Sequence, residues 1–214
     1  MQVTFRQTLL RLRLRRAAQT LARHGWAVTP GGYFNGKRMA CDRPTCWATS
    51  CHPLLPDWET RAEAGEWWRE KPHSVLLPTG RVFDAIEVPE LVGCAVKGPC
   101  GPIAITPAGR WIFLVRSGTA LRPELADCTD IVAHGQGSWI PAPPTLLPEG
   151  PVRWHLAPKQ VDWQLPHSDE VQTALVAALV ALDASFLDRP RASARPARQL
   201  VAASTMGAAW RRTA

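Results

Sequence analysis

The chain has a single Tyr against ten Trp, and no acidic residue anywhere in its first forty positions. No run of eighteen apolar residues occurs, which excludes a helix that spans a membrane. The N-terminus has no unbroken apolar stretch, so it does not read as a secretory signal. None of the six Cys forms a Cys-x-x-Cys pair. Without a signal segment, they point to reduced thiols or a metal rather than disulfides, and to a cytoplasmic protein. There is no G-x-x-x-x-G-K-[ST] phosphate loop, and "GPCG" at 98–101 reads as turn chemistry. No nucleophile elbow accompanies the scattered Ser, Cys and His, so nothing points to covalent catalysis. There is no internal repeat.

What is present suits one domain with a sizeable core: 214 residues, 46% of them apolar. The boundaries expected are a domain over 1–187 and a basic, disordered tail over 188–214. The net charge of +7 is uneven. Residues 1–40 carry eight basic side chains, residues 188–214 a net of +5, and the middle a net of −6. Nucleic-acid binders concentrate basic charge on one face. Here the two ends can supply such a face, giving weak, salt-sensitive contact, and the acidic middle cannot. The Arg preference itself fits a GC-rich coding bias and carries little functional weight.

Apolar residues at spacings of three and four (Leu10, Leu14, Ala17, Leu21) predict a helix over 5–23, stopped by Gly25. The simplest reading packs that stripe on a sheet and leaves a solvated basic side; a DNA- or membrane-facing helix is the sharper one. "WAVTP" reads as the first strand, 29–57 as a long loop, and 57–70 as a second helix carrying Trp58, Ala62 and the Trp67–Trp68 pair. Strands are expected at 73–80, 81–90, 101–106 and 110–116, the last two as a hairpin. A further hairpin over 129–144, turning at Gly135–Gly137, and an edge strand at 152–156 follow. Residues 168–187 form a helix with Ser168 as N-cap and Asp169 and Glu170 at its positive end. The class is α+β, with a mixed or antiparallel sheet flanked by helices.

Two clusters carry chemistry. "RVFDAIEVPE" (81–90) brings Asp84, Glu87 and Glu90 to one strand. Strand alternation puts Asp84 with Ile86 and Val88 on one face, and Glu87 with Ala85 and Pro89 on the other. Cys41, Cys46, Cys51 and His52 lie within twelve residues and offer the thiolate and imidazole donors that suit zinc. Their spacing is looser than a paired knuckle, and adjacent Cys51 and His52 would be strained as ligands of one ion. The alternative is a set of reduced loop cysteines.

"LARHGWAVTP", "CHP" at 51–53, "WWREKPHSVLLPTG", "ITPAGRWIFLV" and "HGQGSWIPAPPT" occur in that order. The ordered set, over roughly 18–180, resembles the bifunctional DNA primase/polymerase N-terminal domain, the prim-pol branch of the archaeo-eukaryotic primases. The resemblance implies a primase-like fold and an Asp-x-Asp strand, with a third acid on a neighbouring strand. Those acids hold Mg²⁺ or Mn²⁺, and a His contacts the nucleotide phosphates. Two metals about 3.5–4 Å apart would clamp the attacking and leaving oxygens.

This sequence departs from that pattern in three motifs. Glu87 and Pro89 take the two Asp positions, Trp111 the His position, and Val132 the third acid position, with Asp130 two residues earlier. Asp84, Glu87 and Asp130 are therefore vestigial catalytic candidates. Arg110, Trp111, Arg116 and His134 are candidates for nucleotide or nucleic-acid contact, Trp111 by stacking on a base.

The leading expectation is a primase/polymerase-like protein that has lost nucleotidyl transfer and acts as an accessory or regulator in DNA replication or metabolism. Such a protein would work beside a separate helicase or other replication partner. A second expectation is an active enzyme with a re-formed Mg²⁺ or Mn²⁺ site. A third is a scaffold repurposed for nucleotide or protein binding.

Overall fold

The computed structural model describes residues 5–41, 43, 46, 50–54, 65–98 and 101–187. The expected basic tail at 188–214, most of the expected 57–70 helix and Cys100 lie outside the described residues.

Helix α1 (Phe5–Arg23) leads into β1 (Thr29–Gly31), then into a small hairpin of β2 (Tyr33–Phe34) and β3 (Met39–Ala40). After β4 (Ser74–Pro78) and β5 (Phe83–Pro89) comes α2 (Glu90–Ala95), followed by β6 (Ile103–Ile105) and β7 (Arg110–Arg116). Next are α3 (Pro123–Ala126), β8 (Val132–His134), β9 (Trp139–Pro141), β10 (Leu146–Leu147), β11 (Gly150–Pro151) and β12 (Arg153–Leu156). A 3₁₀ turn at Pro158–Val161 precedes α4 (Ser168–Leu187).

Among the described residues every strand pairing is antiparallel. The main sheet has five strands in the order β12-β6-β7-β5-β8, and a second has three in the order β1-β4-β9. The class is α+β with a primase-like arrangement of mixed helices and antiparallel sheets.

The alternation of β5 and β7 builds two cores on opposite faces of the main sheet. Phe83, Ala85, Ile112 and Leu114 point toward Leu14, Ala18 and Leu21 of α1 and toward Val75, Leu77 and Ile140 of the second sheet. Ile86, Val88, Trp111, Phe113 and Val115 point the other way, onto Val92 of α2, Leu125 of α3 and Val171 and Leu175 of α4. The side chain of Gly93 would strike the Trp111 ring, its Cβ falling 2.4 Å from Cγ, so α2 lies flat against that indole.

Several elements differ from the sequence expectation. The expected hairpin over 129–144 does not form: β8 pairs with β5 in one sheet and β9 with β4 in the other. Burial decides it, because Ile140 is fully buried in the first core while Val132 and Ala133 are exposed. Residues 65–70, within the expected second helix, are a series of turns. Glu90 leaves the strand and starts α2, since Pro89, at φ −61° and ψ 152°, is the N-cap. Ser168 is the first helical residue, and its hydroxyl accepts a hydrogen bond from Gln172 Nε2 at 3.0 Å.

Candidate functional site

The first core ends at Ala85, and the next inward residue of β5 on that face is Glu87, at the rim of the sheet. In the β5–β7 register Glu87 stands opposite Ile112, with Pro89 opposite Arg110. Arg110 is thus the diagonal neighbour of Glu87, within reach of a long side chain. On the other flank Glu87 stands opposite Val132, and Ala85 opposite His134. The side chains of Arg110 and His134 converge on the one carboxylate.

Both carboxylate oxygens are engaged. Arg110 Nε donates to Oε1 at 2.7 Å, and His134 Nε2 lies 2.9 Å from Oε2. Arg110 Nη2 also donates to the Asp130 carbonyl at 2.6 Å. His134 Nδ1 lies 2.9 Å from Ser138 Oγ. With its proton on Nε2, the imidazole donates to Glu87 and accepts from the serine hydroxyl. Burial alone would raise the Glu87 carboxyl, but the hydrogen bonds and charges of His134 and Arg110 outweigh it and hold the group below its ordinary 4.5.

The β8–β9 connection is held so that His134 and Ser138 face the site. The Thr79 hydroxyl donates to the Gly135 carbonyl at 2.6 Å, and the Thr79 N–H donates to the Ser138 carbonyl at 3.0 Å. Gly80 sits at φ +97°, where a Cβ would fall 2.2 Å from Gln136 Cα. The "TG" turn after β4 is therefore the seat on which this connection rests.

The other acids are elsewhere. Asp84 lies on the opposite face of β5, where its Oδ2 accepts from the Gly118 N–H at 2.8 Å. Asp130 precedes β8 and is exposed, and it touches the site through its carbonyl alone. Val132, 41% exposed, supplies an apolar side chain beside Glu87. Among the described residues, Asp84, Glu87 and Asp130 do not form a group with converging donor atoms. A Mg²⁺ or Mn²⁺ pair needs several free carboxylate oxygens around it. These residues offer one carboxylate, already neutralised, and do not fit such a pair.

Of the candidates for nucleotide contact, Arg110 and His134 come together at Glu87. Trp111 lies on the opposite face, buried in the second core with its ring centroid 4.4 Å from that of His155. Arg116 is at the far end of β7, about 20 Å away along the strand. There its Nε donates to the Leu165 carbonyl at 3.0 Å.

The family model for the bifunctional DNA primase/polymerase N-terminal domain matches residues 18–167. The chain belongs to this family. No curated protein matches it. The primase/polymerase match takes in most residues of both cores, the Glu87 cluster and the cysteine loop, while Leu14 of α1 and Val171, Leu175 and Ala178 of α4 lie outside it.

In that loop the donor atoms of Cys41, Cys46 and His52 lie within 4.8 Å of one another, a group that could hold a metal ion. Cys51 is turned away: its thiol donates to the Gly32 carbonyl at 3.6 Å, and burial pushes it up to about 11. No cysteine among the described residues forms a disulfide. Among those residues no helix is long and apolar enough to cross a membrane.

Sequence reasoning did not find Ser138, nor the pairing of Glu87 with Arg110 and His134. Strand alternation places Glu87 on the correct face, but the diagonal partner depends on a register that spacing alone does not reveal.

Proposed function

We propose that this primase/polymerase domain does not transfer nucleotides and serves as a nucleic-acid-binding accessory in DNA replication or metabolism. The observation that carries the reading is Glu87, whose two oxygens are taken by Arg110 and His134. In a metal-dependent family a strand carboxylate at this place would face two cations with free lone pairs. Here its partners are side chains of the protein itself, the Arg110 guanidinium and the His134 imidazole. The triad fixes the ends of β5, β7 and β8 to one another, a structural role for a position the family uses for chemistry.

Nucleic-acid contact is assigned to α1. Arg6, Arg13, Arg16 and Arg23 are exposed, at spacings of seven, three and seven, which places them on one side of the helix. The stripe runs about 25 Å at 1.5 Å per residue. It opposes the buried side of α1, so phosphate binding and core packing do not compete. The protein would act in the cytoplasm, a reading that the lack of disulfides among the described cysteines supports, beside a replication partner such as a helicase.

The test is template-directed primer extension with purified protein in Mg²⁺ and in Mn²⁺. The expected result is no extension above a no-protein control, unchanged in Glu87→Ala. Extension by the wild type that is lost in Glu87→Ala would overturn the proposal.

A further inference from the structure

Among the described residues, Cys41, Cys46 and His52 are the one group of metal-type donors with converging atoms, and neither the Glu87 triad nor the α1 stripe uses it. We infer that Cys41, Cys46 and His52 bind one zinc ion that clasps the 39–54 loop to the edge of the second sheet, and that Cys51 is not a ligand.

The donor set selects the metal. Two thiolates and an imidazole suit zinc, whereas Mg²⁺ and Mn²⁺ prefer oxygen. The three donors are already gathered. Cys46 Sγ is 3.3 Å from His52 Nε2, near the edge of a zinc tetrahedron, about 3.5–3.8 Å for these bond lengths. The imidazole is oriented from its other nitrogen: His52 Nδ1 donates to the Ser50 carbonyl at 2.9 Å, which leaves Nε2 with a lone pair aimed at the thiols. Binding releases the thiol protons of Cys41 and Cys46, and the two thiolates neutralise the ion. Three protein donors leave the fourth position to water or to a side chain outside the described residues.

The surrounding backbone is built to bring these donors together. Cys41 directly follows β3, and His52 directly precedes the bridge between Pro53 and Gly31 of β1. The Gly32 N–H donates to the His52 carbonyl, and the Leu54 N–H to the Pro30 carbonyl, both at 2.9 Å. Gly31 and Gly32 allow this approach: a Cβ on Gly31 would meet Leu76 at 2.6 Å, and one on Gly32 would meet the Ala40 carbonyl at 3.1 Å and the His52 ring at 3.6 Å. Arg43, between the two cysteine ligands, reaches the Leu54 carbonyl at 2.5 Å. An ion at this point joins the end of β3 to the β1 edge.

Metal content separates the outcomes. Wild-type protein purified under reducing conditions from zinc-supplemented medium, then dialysed exhaustively, should retain about one equivalent of zinc. Cys46→Ser and His52→Ala should each fall below a tenth of an equivalent, while Cys51→Ser keeps the full amount. Cobalt exchanged into the wild type should give the visible bands of a tetrahedral ion with thiolate charge transfer, a readout that needs no variant to fold. Less than a tenth of an equivalent in the wild type with no cobalt spectrum would overturn the site. Loss of metal in Cys51→Ser equal to that in Cys46→Ser would overturn the ligand assignment.

Discussion

Alanine at Arg6, Arg13, Arg16 and Arg23 together is expected to weaken single-stranded DNA binding about 100-fold near 0.15 M salt. Each phosphate contact contributes about 0.7 to the slope of log affinity against log salt on single strands, so four lost contacts lower the slope by about 2.8. At 0.15 M that slope converts to roughly two orders of magnitude. The helix itself should survive, since Ala favours helix at least as well as Arg and the four positions are exposed. Fluorescence anisotropy of a labelled oligonucleotide at several salt concentrations gives both numbers, with circular dichroism as the check on folding. An unchanged slope would remove α1 from the binding face.

The second large effect concerns Glu87. Removing it in Glu87→Ala leaves Arg110 and His134 facing one another at a site where the carboxylate is 20% exposed. Losing two charge-assisted hydrogen bonds there should destabilise the fold by about 2–4 kcal/mol in urea unfolding. The pH dependence has a definite sign. The folded carboxyl lies below its ordinary 4.5, so its contribution is fully present above about pH 4.5 and is lost as pH falls through the folded value. The wild type should therefore lose stability on acidification below pH 4.5 more steeply than Glu87→Gln, which has no carboxyl to protonate. Identical acid limbs in the two proteins would show that the triad contributes nothing.

The long elements were legible because periodicity reports burial. Leu10, Leu14 and Leu21 marked α1, though Ala18 rather than Ala17 is the fully buried alanine of the stripe. The 168–187 helix and the β6–β7 hairpin also occur where expected. The two faces of β5 could be read from alternation, and Asp84 and Glu87 do lie on opposite sides. Pairing between distant strands was not legible. Nothing in the spacing of 129–144 shows that β8 and β9 join different sheets, because that depends on which of their side chains the two cores accept. The β2–β3 hairpin was hidden in a Pro- and Gly-rich stretch with strands of two residues each, too short for an alternating pattern.

The candidate site was half legible for the same reason. The departures at Pro89, Trp111 and Val132 follow from residue identity. The contacts around Glu87 do not: Arg110 reaches Glu87 because β7 sets it one diagonal step away, and His134 because β8 sets it beside Ala85. The cysteine loop shows a similar division. Donor types and rough spacing were visible, while the separation of Cys51 from His52 arises from the hydrogen bond between Cys51 and Gly32.

We propose Glu87 as an internal ion-pair partner and not a metal ligand. Titration of Mn²⁺ into wild-type protein and Glu87→Gln, with free Mn²⁺ followed by electron paramagnetic resonance, tests it most directly. The expected result is the same weak, non-saturating uptake by both proteins up to about millimolar metal. Saturable binding of one or two Mn²⁺ by the wild type that disappears in Glu87→Gln would contradict it.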